Sequence, residues 1–196
     1  MIAPRAALAA LLLLAAPAAR AGEPAATDAR ARSWFTDTVL TDQAGRPVRF
    51  YQDVLEGRTV VVGFVFARCQ GACPLIMEKL GRARQLLGER AGEVSFVLLS
   101  VDPGHDTPER LRAFAAAHKA EGPGWTYLTG KPEDVKLVLK RLGAAVDDPG
   151  DHSTALIAGN TRSRHWTRIR PDAGPPAVAG ILSDLAAEPP KVAAAR

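Results

Sequence analysis

Residues 59–74 read TVVVGFVFARCQGACP, and the fold follows from them. Thr59 to Phe66 is a nearly unbroken apolar, β-branched run, the pattern of a strand buried on both faces. The run stops just short of Cys69 and Cys73, the only two cysteines of the chain. Beyond Pro74, the residues Ile76, Leu80, Ala83 and Leu87 recur at helical spacing, with Glu78 early, Arg82 and Arg84 late, and Gly88 as a stop. This spacing predicts a helix of about 14 residues. A buried strand that feeds a helix in this way belongs to an α/β sheet, in which ligands sit outside the carboxyl ends of parallel strands. Chemistry is therefore expected in the loop from Ala67 to Pro74.

The flanking sequence extends the same architecture. Val94 to Val101 reads as a second buried strand, and Asp106-Thr107-Pro108 supplies a cap and a first-turn proline for a helix that turns Leu111, Phe114 and Ala115 inward. Trp125 to Leu128 is a short third strand. Val135, Val138, Leu139 and Leu142 mark a helix that stops at Gly143, and Val178, Ile181, Leu182 and Leu185 mark a last one. Between these two helices, Thr154 to Ala158 and Arg164 to Ile169 are expected to form a hairpin around Gly159-Asn160. Upstream, Thr38-Val39-Leu40 and Val48-Arg49-Phe50 flank a turn at Asp42-Gln43-Ala44-Gly45. The order is that of an α/β, thioredoxin-like sandwich: a mixed central sheet flanked by helices, with an N-terminal β-hairpin.

The chain has 196 residues, 47% of them hydrophobic, which is material for one domain with short extensions. Two cysteines exclude a disulfide-stapled mini-fold. Residues 1–21 read as a signal peptide: Arg5 near the start, an apolar run from Ala6 to Ala19, and Ala19-Arg20-Ala21 as a small-x-small cleavage site. Gly22 would begin the mature, periplasmic protein. The alternative is an uncleaved N-terminal anchor in the inner membrane, for which the apolar run is short. Loss of Arg5 and Arg20 lowers the formal charge of +4 to +2, too weak a balance for nucleic-acid binding. Residues 22–33, rich in Ala, Pro and charge, read as a flexible leader, 34–187 as the domain, and 188–196 as a disordered tail. The domain is expected to be a monomer.

Cys73 falls in the first turn of the predicted helix and Cys69 in the loop above it. Both thiols then face the positive end of the helix, where unpaired N–H groups favour thiolate, as does nearby Arg68. Thiolate is both nucleophile and metal ligand. A passive disulfide across three residues closes too small a loop to stabilise the fold much. His152, in the loop before the strand at Thr154, arrives where the cysteines need a partner. Two soft thiolates and one imidazole suit Cu(I), and with one more ligand Cu(II), whereas zinc normally takes a fourth ligand. His105, in the loop after the second strand, reads as a solvated residue able at most to assist, and Met77 as core filling. His118 reads as packing at a helix end, Asp102 and Asp106 as loop shapers, and the basic run Arg162, Arg164, His165, Arg168 and Arg170 as a charged edge strand.

Cys69-Gln70-Gly71-Ala72-Cys73-Pro74 after a buried strand, then Ser100-Val101-Asp102-Pro103-Gly104-His105-Asp106-Thr107-Pro108, then Asp151-His152-Ser153, together resemble the SCO/SenC family over roughly residues 34–187. The resemblance implies a thioredoxin-like fold and copper held by Cys69, Cys73 and His152. It also implies redox-active, disulfide-forming thiols at Cys69 and Cys73, and a metallochaperone that serves an exported acceptor such as a cytochrome c oxidase subunit. Another copper chaperone would be its donor. The positions where copper-delivery members often carry Thr and Pro-Asp here hold Ala67 and Gln70-Gly71-Ala72. The alternatives are a thiol-disulfide reductase, in which Cys69 attacks and Cys73 resolves, and a copper sensor or buffer using the same ligands. A peroxidase of the peroxiredoxin kind is disfavoured, since Phe66 stands where that chemistry needs Thr.

Overall fold

The computed structural model describes residues 26–191. In chain order its elements are α1 (Ala26–Phe35), β1 (Val39–Asp42), β2 (Pro47–Arg49), β3 (Thr59–Val65), α2 (Ala72–Leu87), β4 (Val94–Ser100), α3 (Pro108–Ala117), β5 (Trp125–Thr129), α4 (Pro132–Arg141), β6 (Leu156–Asn160), β7 (His165–Ile169) and α5 (Pro175–Ala187). Single helical turns at Phe50–Leu55, Gly88–Glu93 and Pro149–Asp151 complete the path. The strands form one mixed sheet in the order β2-β1-β5-β4-β3-β6-β7. β3, β4 and β5 run parallel. The N-terminal hairpin joins antiparallel beside β5, and the β6–β7 hairpin joins antiparallel beside β3.

The expected thioredoxin-like sandwich is thus the architecture of the chain, and the pleat divides its core in two. On β3, Val61 and Val65 face one layer while Val60, Val62 and Phe64 face the other. On β4 the same alternation sends Phe96 and Leu98 one way and Val97 and Leu99 the other, as a period of two requires. The first layer is covered by α2 through Ile76, Met77, Leu80 and Ala83, by α3 through Leu111 and Phe114, and by α5 through Val178 and Leu182. The second is covered by α4 through Val135, Val138 and Leu139, and by the turn carrying Phe50, Tyr51, Val54 and Leu55. Each such side chain contributes about 1.5–3 kcal/mol by leaving water. Met77 is fully inside this packing, as core filling predicts.

Three boundaries depart from the sequence reading. The proposed leader is helical from Ala26 onward, and α1 is docked by its last residues: Phe35 lies 4.5 Å from Trp166 and 6.3 Å from Tyr51, centroid to centroid, while Arg32 reaches Glu56 and Gln52. Composition hid this because the contacts of Arg32 and Phe35 are made with residues distant in sequence. Gly159 and Asn160 lie inside β6 rather than in the turn, which falls at 161–164. Gly159 is there because Trp166 covers its α-carbon so closely that a Cβ would run into the indole. The Asn160 amide donates to the Leu185 carbonyl, and its oxygen accepts from Arg162 N. The start of the expected tail is also held, with Glu188 bonded to His165 at 2.6 Å and Lys191 N to the Arg162 carbonyl. The signal-peptide reading of 1–21 lies outside the described residues. Among the described residues, no helix is long and apolar enough to cross a membrane.

Candidate metal centre

β3 delivers the cysteine loop and β6 delivers the histidine. Ile157 pairs with Val62 in antiparallel register. Five residues back from Ile157 is His152, and five on from Val62 is Ala67, so continuing that register carries His152 to the level of the cysteine loop. A turn at Pro149–Asp151, capped by the Asp148 carboxylate accepting from Gly150 N at 2.7 Å, aims the chain into this position.

Cys69, Cys73 and His152 offer one ligand atom each, and these atoms all lie within 4.8 Å of one another. Cys73 is fully buried, His152 is 7% exposed and Cys69 is half-buried. The two cysteines are free thiols. Cys73 sits in the first turn of α2, whose preceding residue Gly71 provides no side-chain cap. The uncapped N–H of Cys73 instead donates to Cys69 Sγ at 3.3 Å. His152 Nε2 is 3.7 Å from Cys73 Sγ, and Nδ1 is 3.2 Å from the Ser153 carbonyl oxygen. A carbonyl only accepts, so Nδ1 carries the proton and Nε2 presents its lone pair toward the sulfurs. Phe66 stands edge-on to the imidazole with centroids 5.6 Å apart and walls the ring from the side. Two sulfurs and one nitrogen with an open approach at Cys69 are able to hold a soft metal ion.

The loop is fixed from below by Asp106, which is 3% exposed. Its Oδ1 accepts from Ala67 N at 3.0 Å and its Oδ2 from Ser100 Oγ at 2.6 Å. Burial raises the Asp106 carboxyl above the ordinary range, against these two hydrogen bonds. Thr107 rather than Asp106 caps α3, accepting from Arg110 N.

The electrostatics differ from expectation. Burial, followed by the hydrogen bond to Cys69, pushes the Cys73 thiol up to about 12, so the helix end does not make it a thiolate. Desolvation of the charged form outweighs the favourable dipole. Arg68 does not serve the thiols either, because its guanidinium is bound to Asp102 at 2.9 Å. The other Asp102 oxygen is 2.8 Å from His105 Nδ1, and His105 lies outside the three-residue cluster. His118 packs on Phe114 with centroids 4.5 Å apart, and burial lowers its basicity. In the basic run, Arg168 donates to the Leu142 carbonyl and Arg170 pairs with Asp172.

The sequence reading named all three clustered residues. It missed Phe66 as the wall beside His152 and the Ser153 carbonyl as the group that orients the imidazole. A backbone acceptor leaves no trace in residue identity, whereas Phe66 was read as the end of an apolar run and as the residue standing where a peroxidase needs Thr, neither of which points to His152.

Fold and site together define a thioredoxin-like protein with a Cys-Cys-His centre at the carboxyl end of β3. The chain belongs to the SCO1/SenC family, whose model matches residues 26–185. It is 33% identical to protein SenC of Rhodobacter capsulatus over 98 residues, 49% of this chain and 43% of that protein. The chain is thus matched to less than half of that relative's length. Among solved structures it is similar to a SCO1/SenC family lipoprotein of Bacillus anthracis, with 26% identity, a TM-score of 0.65, and coverage of 76% of this chain and 92% of that one. It also shares its fold with copper-bound ScoI of Bradyrhizobium japonicum, at 22% identity, a TM-score of 0.62, and coverage of 76% and 96%.

Proposed function

We propose that this chain is a periplasmic copper carrier that takes up Cu(I) on Cys69, Cys73 and His152 and passes it by ligand exchange to an exported acceptor. The resemblance to copper-delivering SCO/SenC proteins makes a cytochrome c oxidase subunit the favoured acceptor, and another copper chaperone the donor. The observation that carries the reading is the convergence of two thiols and one imidazole with its free Nε2 turned toward them. That donor set is soft, of low coordination number and nearly dry, which selects Cu(I) over harder divalent ions. The copper-bound state of ScoI agrees with it. Copper here is cargo. The half-buried Cys69 gives an incoming acceptor ligand a point of attack, while Cys73 and His152 stay shielded.

A second reading rests on that same asymmetry. Cys69, as thiolate, would attack one sulfur of an acceptor disulfide, forming a mixed disulfide and expelling the other sulfur as thiolate. Cys73 would then displace the first sulfur and close a Cys69–Cys73 disulfide, leaving the acceptor with two thiols. The thiol of Cys73, pushed up to about 12 by burial, opposes the second step, because resolution needs the thiolate.

His152→Ala separates the two. A copper carrier loses one of its three ligands, so Cu(I) affinity falls, most Cu(II) binding disappears and acceptor maturation fails, while the dithiol reduction potential changes little. A reductase keeps its dithiol and its maturation activity. Copper affinity, potential and acceptor maturation are measured in parallel for wild type, His152→Ala and Cys69→Ser. Unchanged copper affinity with intact maturation in His152→Ala would replace the carrier by the reductase.

A further inference from the structure

A cleft of about 740 Å³ has neither cysteine in its lining. Its walls include Arg30, Trp34, Arg141, Arg164 and Trp166. It continues past Trp34 and Arg141 into a neighbouring depression lined by Leu137 and Lys140. None of the residues lining either depression is acidic. The Trp34 indole is 61% exposed and Leu137 is 40% exposed. Arg30, Lys140 and Arg141 are exposed, and no carboxylate of residues 29–191 forms an ion pair with them. Arg32, which faces Glu56 and Asp37, shows that this is not simply how arginines behave in α1.

From these observations we infer that this end of the molecule is a membrane-contact face that binds the headgroups of anionic phospholipids. Exposed Trp and Leu beside exposed Arg and Lys match a bilayer interface, where an amphipathic ring rests at headgroup depth and cations meet phosphate. A soluble anion would use the cations but would leave Trp34 and Leu137 in water.

The inference sets an orientation. Thr161, on the cleft wall, accepts Arg58 N at the start of β3, while the cysteine loop follows the other end of that strand. The seven residues of β3 separate the two ends by roughly 20 Å. With the cleft on the bilayer, Cys69 points away from it, toward partners that project from the membrane surface.

The test is co-sedimentation of the mature chain beginning at Gly22 with vesicles of phosphatidylcholine alone and of phosphatidylcholine mixed with phosphatidylglycerol. It compares wild type with Arg30→Glu/Arg141→Glu and with the milder Arg30→Gln/Arg141→Gln. All three lack the apolar run of residues 6–19, so binding reports the face, and circular dichroism verifies that each variant is folded. Wild type is expected to favour the anionic vesicles, to lose that preference as salt rises, and to bind at least about 30-fold more tightly than the double reversal. Trp34 fluorescence is expected to be quenched by brominated acyl chains, a signal lost in Trp34→Phe. Equal binding to both vesicles, no change with the substitutions, or saturation of the cleft by free glycerol phosphate without any vesicle preference would overturn the assignment.

Discussion

The two ends of β3 carry opposite solutions to placing reactive groups. At the carboxyl end, uncharged soft donors are drawn into a nearly dry pocket, and the loop that carries them is pinned by a buried carboxylate. At the amino end, hard cations and an indole stand in solvent with few partners. Burial decides the difference. A thiol loses little by desolvation while it keeps its proton, which is why Cys73 is held up to about 12. A guanidinium cannot shed its charge, so it stays outside. The buried end is built to hold a metal by specific geometry, whereas the exposed end can recognise only a class of surface.

The comparison breaks if substitutions at the two ends act alike. Cys73→Ser should have the largest effect. Thiolate and imidazole sites bind metal with about 10–16 kcal/mol in comparable small domains, so loss of one of three ligands costs about 4 kcal/mol, or about a thousandfold in Cu(I) affinity. Competition with a Cu(I) chelator measures it, and thermal stability of the metal-free protein should barely move. Gly159→Ala, toward the opposite end of β3, should do the reverse. Forcing Trp166 off the strand costs about 1–3 kcal/mol, which lowers the midpoint of thermal unfolding by about 2–4 °C per kcal/mol, with copper stoichiometry unchanged. A Gly159→Ala protein of full stability would show that the indole relaxes freely and that the cleft wall is not rigid.

The smallest expected effect sharpens the account of the buried end. At neutral pH Cys73 carries its proton, and metal binding must expel it. Cu(I) affinity should therefore rise about tenfold for each unit of increasing pH on account of this group, and fall correspondingly as pH drops. A flat profile between pH 7 and about 9 would mean that the sulfur is already ionised and that burial is not what governs it.

Much of this was legible in the sequence. The run at 59–66, the helical spacing after Pro74 and the capping residues before α3 each concern neighbours within one turn or one pleat, where side-chain period reports burial directly. The hairpin at β6–β7 was legible only in outline. Gly and Asn ordinarily mark turns, but here Gly159 yields space to an indole and Asn160 spends its amide on the Leu185 carbonyl. The docking of α1 escaped for a similar reason, since Phe35 and Arg32 find partners on other elements.

The sequence by itself determined the strand, the cysteine loop, the helix that follows and the identity of the three candidate ligands, because those rest on local periodicity, on spacing and on family motifs. Only the tertiary structure decided that His152 meets Cys73 across 79 residues, that the Ser153 carbonyl turns its Nε2 inward, and that Cys73 keeps its proton despite the helix end beneath it. Each depends on sheet register and on exclusion of water, and both are set by the whole packed sheet rather than by any stretch of chain.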